Sequence, residues 1–217
     1  MLKHKTKQLL VWFILFSLLP VAYSQVVFND ALFNFMRSKY QNSAVERTRN
    51  WQQLITSNTN QSIEDQLFET NRFFNNIEFK SDQAHWGKKD YWATPLEFLG
   101  TNAGDCEDFT IAKYVTLLEL GVPDAKLRLM YVTATRPTRQ AHMVLAYYET
   151  PTSVPLVLDN INKRILPASK RRDLIPVYSF NGEGLWLAKA QGRGRQMQSG
   201  NNNKLWLDVL NRMKEGF

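Results

Sequence analysis

The only cysteine of the chain, Cys106, stands in Ala103-Gly104-Asp105-Cys106-Glu107-Asp108-Phe109, among acids that oppose loss of its proton. A thiol attacks carbonyl carbon as the thiolate, so this setting calls for something that offsets the negative field. Two further residues complete a set for acyl transfer. His142 interrupts the apolar run Ala141-His142-Met143-Val144-Leu145, and Asp159 closes Val157-Leu158-Asp159-Asn160. Taken singly, each has an ordinary reading: a hydrogen-bonded core histidine, a turn aspartate, and a cysteine that is a buried spectator, an intermolecular crosslinker or a reactive thiol. Together, in the order Cys, His, Asp and at spacings that suit a helix start followed by adjacent antiparallel strands, they supply nucleophile, general base and orienter. Beyond Ser24 only His85 and His142 are histidines, which narrows the choice of base.

Those three residues need elements to hold them, and the pattern of apolar and capping residues supplies a set. Asn29 or Asp30 caps a helix carrying Ala31, Leu32, Phe35 and Met36, and Ser43-x-x-Glu46 reads as a capping box ahead of Trp51, Leu54 and Ile55. Ser62-x-x-Asp65 opens a third helix with Ile63, Leu67 and Phe74 on one face. The aromatic loop from His85 to Trp92 contains Gly87 and several charges, which argue against regular structure. Its Trp86, Tyr91 and Trp92 suit either core packing or a cleft wall or partner surface. Thr94-Pro95-Leu96-Glu97 then combines an N-cap, proline at the first helical position and a capping glutamate, with Gly100 placed just past the end of a short helix. Asp105 caps the next helix, whose Phe109, Ala112, Val115 and Leu118 recur at helical spacing until Gly121 and Pro123. Cys106 therefore occupies a first turn, where the peptide dipole favours a thiolate and free N–H groups face an oxyanion.

Beyond Pro123 the period shortens. Leu127 to Thr133, Ala141 to Tyr148, Pro155 to Asp159, Ile175 to Phe180 and Gly184 to Lys189 read as strands of an antiparallel sheet. The polar Gln196 to Asn203 reads as a flexible approach to a last helix from Lys204 to Met213. The fold class is α+β, with a helical lobe over about 25–121 packed on an antiparallel β-sheet lobe over about 122–217.

The N-terminal segment, 1–24, carries the compartment. Lys3, Lys5 and Lys7, the apolar run Leu9 to Leu19 and Ala22-Tyr23-Ser24 before Gln25 read as a secretory signal peptide, giving a mature chain of 25–217. The run is too short to span a bilayer, although an uncleaved N-terminal anchor is the rival reading. The leader holds three of the 27 basic residues and none of the 20 acidic ones, so the mature chain is mildly basic at +4, which is not a nucleic-acid signature. Lys170-Arg171-Arg172 and Arg193-Gly194-Arg195 are the densest basic clusters and read as solvated loops, with contact to an acidic partner surface as the alternative.

Gly104-Asp105-Cys106-Glu107-Asp108, Ala141-His142-Met143-Val144 and Leu158-Asp159-Asn160 resemble the bacterial transglutaminase-like cysteine proteinases. The resemblance extends over the mature chain, including Tyr91-Trp92-Ala93-Thr94-Pro95. It implies a papain/transglutaminase-like fold with Cys106, His142 and Asp159 as the triad, and a calcium-dependent periplasmic endopeptidase. Its implied substrate is the N-terminal region of a large surface adhesin, cut near paired alanines to release it. Its implied regulator is the periplasmic domain of an inner-membrane receptor for cyclic di-GMP. Asp105, Glu107 and Asp108 are the implied calcium-side residues, and as hard oxygen donors they suit a divalent ion that offsets the field beside Cys106. The same acids also have a purely helical explanation, as an N-cap pair and first-turn charges. For the oxyanion, the Cys106 N–H is one donor; a papain-like glutamine is missing, because its place upstream of the cysteine is taken by Gly100, which leaves Trp92 or Asn102 as second donors. Alternative functions for the same residues are a transglutaminase-like acyl transferase, a peptidoglycan amidase and a non-catalytic periplasmic binding module.

Overall fold

A computed structural model describes residues 25–187, 195–199 and 203–215. The leader, most of the Arg193-Gly194-Arg195 cluster and the last two positions of the Gly184–Lys189 segment lie outside the described residues.

Capping chemistry starts the helices. Asn29 Oδ1 accepts the Leu32 N–H at 2.9 Å and opens α1 (Asp30–Asn58), which is divided at Gln41 by φ 72° and ψ −179°. The break falls just ahead of the Ser43-x-x-Glu46 pattern, so the two helices read from the sequence follow one another across a kink. Ser62 caps α2 (Ile63–Phe74) by accepting the Asp65 N–H. A two-residue strand, β1 (Glu78–Phe79), and one helical turn, α3 (Asp82–His85), precede the aromatic loop.

Thr94 and Glu97 form the full reciprocal capping box at α4 (Pro95–Thr101). Gly100 lies inside this helix, not beyond it; the terminating residue is Asn102, in the left-handed region at φ 57°. A Cβ at Gly100 would meet the Tyr40 ring at 2.6 Å, so the glycine serves the close approach of α1 to α4. Arg47 from α1 closes that helix end, its Nε and Nη2 donating to the Leu99 and Gly100 carbonyls at 2.6 and 2.7 Å. β2 (Ala103–Gly104) pairs in parallel with β1 and delivers the chain to α5 (Cys106–Glu119). α5 ends at Gly121, φ 88°, with the Val122 N–H on the Leu117 carbonyl and the Gly121 N–H on that of Leu118, a Schellman closure.

The sheet strands are β3 (Leu127–Ala134), β4 (Gln140–Tyr147), β5 (Leu156–Leu158), β6 (Leu166–Pro167), β7 (Leu174–Phe180), β8 (Gly184–Leu187) and β9 (Arg195–Ser199), all antiparallel in the order β6-β5-β4-β3-β7-β8-β9. β9 corrects the reading of Gln196 to Asn203 as flexible for residues 196–199, whose backbone pairs with β8 from Leu187↔Arg195 to Gly184↔Ser199; residues 200–202 lie outside the described residues. A polar edge strand carries no apolar alternation, and β6, Leu166–Pro167, is too short to show a period. α6 (Lys204–Lys214) closes the described chain.

One apolar core joins both halves. Trp51, Phe74, Phe98 and Leu117 from the helices meet Leu129, Leu145 and Phe180 from the sheet, and α6 adds Trp206 and Val209. Each such large side chain contributes about 1.5–3 kcal/mol by leaving water. Trp92 belongs to this core, stacked on Phe180 at 5.7 Å. On the opposite sheet face Val132, Val144 and Val157 form a small cluster under Ala168 and Leu174. No helix among the described residues is long and apolar enough to cross a membrane.

Candidate active site

Cys106 is the first residue of α5, and four hydrogen bonds fix its loop. Asp108, fully buried, accepts the Ala93 N–H on Oδ1 at 2.7 Å and the Asp105 N–H on Oδ2 at 3.1 Å, tying the cysteine turn to the aromatic loop. Gly104 is required beside it, since a Cβ there would lie 2.3 Å from Asp108 Oδ2. The Thr110 hydroxyl reaches the Cys106 carbonyl at 2.8 Å and the Met143 carbonyl at 3.1 Å, which sets the first turn of α5 against β4 beside His142.

From the sheet side, β4 carries His142 and the end of β5 delivers Asp159. The strand register places His142 opposite Val132, on the sheet face of the small valine cluster. His142 Nε2 and Asp159 Oδ1 are 2.8 Å apart, and both side chains are buried. Asp159 Oδ1 also accepts the Ile161 N–H at 2.9 Å, and its Oδ2 accepts from Arg171 Nη2 at 2.6 Å. Burial opposes ionisation of Asp159, yet the His142 contact, the Ile161 amide and the Arg171 guanidinium outweigh it and hold the carboxyl well below the usual range. An ionised carboxylate only accepts, so His142 Nε2 bears the proton and Nδ1 is the nitrogen left to act as base.

Cys106 and His142 line one cleft of about 520 Å³, together with Phe79, Glu107, Pro137 and Ile161. Asp159 stands behind His142 and is not part of the lining. The structure therefore brings Cys106, His142 and Asp159 into one region. Neither Trp92 nor Asn102 lines the cleft: Trp92 is in the core, and Asn102 is an exposed helix cap. The Cys106 N–H lies at the first position of α5, where helical N–H groups have no intrahelical acceptor. Tyr91 is half-buried and held from α6, its hydroxyl donating to Glu97 at 2.8 Å and accepting from Arg212 Nη1 at 3.1 Å.

The helix side of the cleft is strongly acidic. The Cys106 thiol donates to Glu107 Oε2 at 2.7 Å; burial pushes the thiol well up, and the Glu107 and Asp105 charges add to it. Asp82, Asp105 and Asp108 present carboxylate oxygens within 4.8 Å of one another, as do Asp105 and Glu107 with the Cys106 sulfur. Burial and the neighbouring carboxylates push Asp105 up to about 9, and burial pushes Asp108 up to about 8 and raises Asp82. Asp82 Oδ1 and Asp105 Oδ1 are buried without a donor. Hard oxygen donors converging with their charge uncompensated fit a divalent cation such as calcium. Of the acids read from the sequence, Asp105 and Glu107 retain free oxygen capacity, whereas both Asp108 oxygens already accept backbone N–H groups.

Sequence reasoning missed two residues of this region. Asp82 joins the acids from a helical turn far upstream of Asp105, with no local pattern to flag it. Arg171 was hidden inside Lys170-Arg171-Arg172, whose flanking members are exposed while Arg171 is only 3% exposed. The solvated-loop reading of that cluster is thus corrected for its middle residue.

Residues 31–193 match the family described as bacterial transglutaminase-like cysteine proteinase BTLCP. This chain belongs to the bacterial transglutaminase-like cysteine proteinases. The calcium-bound form of Legionella pneumophila LapG is 42% identical to it, over 84% of this chain and 97% of that one, with a TM-score of 0.73. The EGTA-treated form of the same protein is 40% identical, over 88% of this chain and 100% of that one, with a TM-score of 0.76. No curated protein sequence matches the chain. As a transglutaminase-like cysteine proteinase, the protein is a thiol endopeptidase on an α+β scaffold, and Cys106 is the sole thiol available to it.

Proposed function

We propose that this protein is a calcium-dependent periplasmic cysteine endopeptidase that cuts the N-terminal region of a large biofilm adhesin near paired alanines and so releases it from the surface. A periplasmic receptor domain that responds to cyclic di-GMP controls it. The observation that carries the chemistry is the buried His142–Asp159 pair, whose His142 lines the same cleft as Cys106. Kinship to a LapG that exists in calcium-bound and EGTA-treated forms supports the metal, and the leader read from residues 1–24 supports export.

In the proposed reaction His142 Nδ1 takes the Cys106 proton while Asp159 holds Nε2–H and stabilises the imidazolium. The thiolate attacks the scissile carbonyl carbon, and the oxyanion forms at the N-terminus of α5, where the Cys106 N–H meets it. Collapse breaks the C–N bond, His142 gives its proton to the leaving amine, and water activated by the same imidazole hydrolyses the thioester. Asp82, Asp105 and Glu107, with Asp108 beside them, would hold calcium, which when bound offsets the carboxylate charge next to the thiol and stiffens its loop.

The test is mass-spectrometric mapping of an adhesin N-terminal fragment incubated with the 25–217 protein, with calcium or with excess EGTA, beside Cys106→Ala. A single cut that needs both Cys106 and calcium is expected. A cut that persists in EGTA removes the metal, and an uncut fragment that acquires amine adducts moves the reading to acyl transfer.

A further inference from the structure

We infer that Arg171, clamped by Asp173, is a positioning residue for the reaction: it locks the Asp159 carboxylate and, through it, the tautomer and orientation of His142. The inference rests on the proposed Cys106–His142–Asp159 reading. Arg171 lies in a strap that leaves β6, makes one 3-10 turn (Ala168–Lys170) and enters β7 across the valine-cluster face of the sheet. The strap is pinned at both ends of the arginine: the Arg171 N–H donates to the Ala168 carbonyl at 3.0 Å and the Leu174 N–H to the Arg171 carbonyl at 3.1 Å.

The guanidinium is used as a fork. Its Nε donates to Asp173 Oδ1 at 3.0 Å, and its Nη2 to Asp173 Oδ2 at 2.7 Å and Asp159 Oδ2 at 2.6 Å. Asp173 is in turn fixed to the end of β3, where Thr135 N–H and hydroxyl both reach the Asp173 carbonyl, at 2.8 and 3.1 Å. The Asp159 carboxylate is therefore held at both oxygens, and its plane cannot rotate away from the imidazole.

The chemistry asks for this. His142 alternates between neutral imidazole and imidazolium during turnover, so its charge on Asp159 comes and goes. Burial alone would let Asp159 capture a proton whenever the imidazole is neutral, and the carboxylic acid would no longer enforce Nε2–H. Arg171 stays charged throughout and keeps Asp159 an acceptor in both halves of the cycle. A lysine offers a point charge without the fork, and a methionine offers neither.

The experiment uses 25–217 protein with ¹⁵N-histidine, in which His85 and His142 are the only histidines. Wild type, Arg171→Lys, Arg171→Met and Asp173→Asn are compared for His142 tautomer by NMR, for the rate of Cys106 alkylation by iodoacetamide, for kcat and KM on the adhesin fragment, and for Tm. As Cys106 is the sole thiol, alkylation reports on it alone. Arg171→Met is expected to lose the Nε2–H signal of His142 and to lower kcat on the order of 100-fold with KM little changed. Arg171→Lys should recover part of both, and Asp173→Asn should cost about 10-fold. A folded Arg171→Met with wild-type tautomer and alkylation rate, or a set of variants in which only Tm moves, overturns the role. Should Arg171→Met fail to fold, unchanged tautomer and alkylation in both Arg171→Lys and Asp173→Asn overturn it equally. The NMR and alkylation readouts do not depend on the substrate, so absence of any cut by wild type would sink the proposed function and leave this test standing.

Discussion

On the sheet side of the cleft, Asp159 accepts from His142, Ile161 and Arg171 and is held ionised; on the helix side, Asp82 and Asp105 each keep one buried oxygen with no donor and are pushed toward the protonated form. Both regions bury carboxylates, so burial is not the difference. The difference is whether the chain itself brings the compensating charge. Arg171 does so for Asp159. Among the acids around Cys106 the neighbours are other carboxylates, which fits a place for an external cation.

The comparison breaks most visibly if the two sides respond alike to isosteric neutralisation. Asp159→Asn removes the charge that His142 and Arg171 are arranged around. It should lower kcat by roughly 10⁴-fold through loss of the productive tautomer. It should also cost about 3 kcal/mol of stability, because Arg171 is left buried and short of a counter-charge. Kinetics on the adhesin fragment and urea unfolding measure the two effects. On the helix side, Asp82→Asn should do the reverse to stability in EGTA. The amide keeps an oxygen for the Tyr91 N–H, which donates to Asp82 Oδ2 at 2.6 Å, and relieves repulsion with Asp105. A gain of roughly 3 °C in Tm is expected in EGTA, about one kcal/mol in a domain of this size, together with a much smaller rise on adding calcium. Loss of Tm in EGTA would mean that Asp82 is a structural acceptor only.

How far each side was legible in the sequence follows the same division. Cys106 was placed at a helix start because Asp105, Asp108 and the spaced apolar residues after them are a local pattern. His142 and Asp159 stood out because a polar residue in an apolar strand is visible without knowing its partners. Arg171 and Asp82 act only through tertiary contacts: one sits in a basic run that looks solvated, the other in a single helical turn. Gly100 misled for a related reason. A glycine near a helix end suggests a stop, whereas here the space is taken by Tyr40, which arrives from α1, distant in the chain. β6 and β9 escaped because so short a strand carries no period and a polar edge strand carries no alternation.

α6 gives a prediction of intermediate size that links the two sides. Arg212 reaches from it to Glu97, to the Tyr91 hydroxyl and to the Trp92 carbonyl, the last at 2.5 Å. It therefore anchors the aromatic loop whose Tyr91 and Ala93 N–H groups hold Asp82 and Asp108. Arg212→Ala should weaken calcium binding about 10-fold by isothermal titration, and leave the His142 tautomer unchanged. A change in the tautomer instead would show that the two sides are not independent.

A last effect, read as a slope against pH, lies under Asp159. Lys113 is fully buried in α5, donates to Asn75 Oδ1 at 2.8 Å, and shares Asn75 with Asp159, whose carbonyl accepts from Asn75 Nδ2 at 2.9 Å. Burial lowers Lys113 to about 7, with the Asp159 charge resisting and Lys163 assisting. Between that value and the unfolded lysine value of about 10.4, the unfolded chain binds a proton that the folded chain does not. Stability contributed by this group therefore rises with pH over that window, by up to about 1.4 kcal/mol per unit. Raised carboxylates on the helix side slope the opposite way in part of the same range, so the measurement must be a difference. Urea unfolding of wild type and Lys113→Met at pH 7, 8 and 9 cancels the acid contribution and isolates the lysine. A wild-type curve that gains on the variant as pH rises is expected; parallel curves would mean that Lys113 stays charged in the fold, paired closely enough with Asp159 to count as part of its compensation.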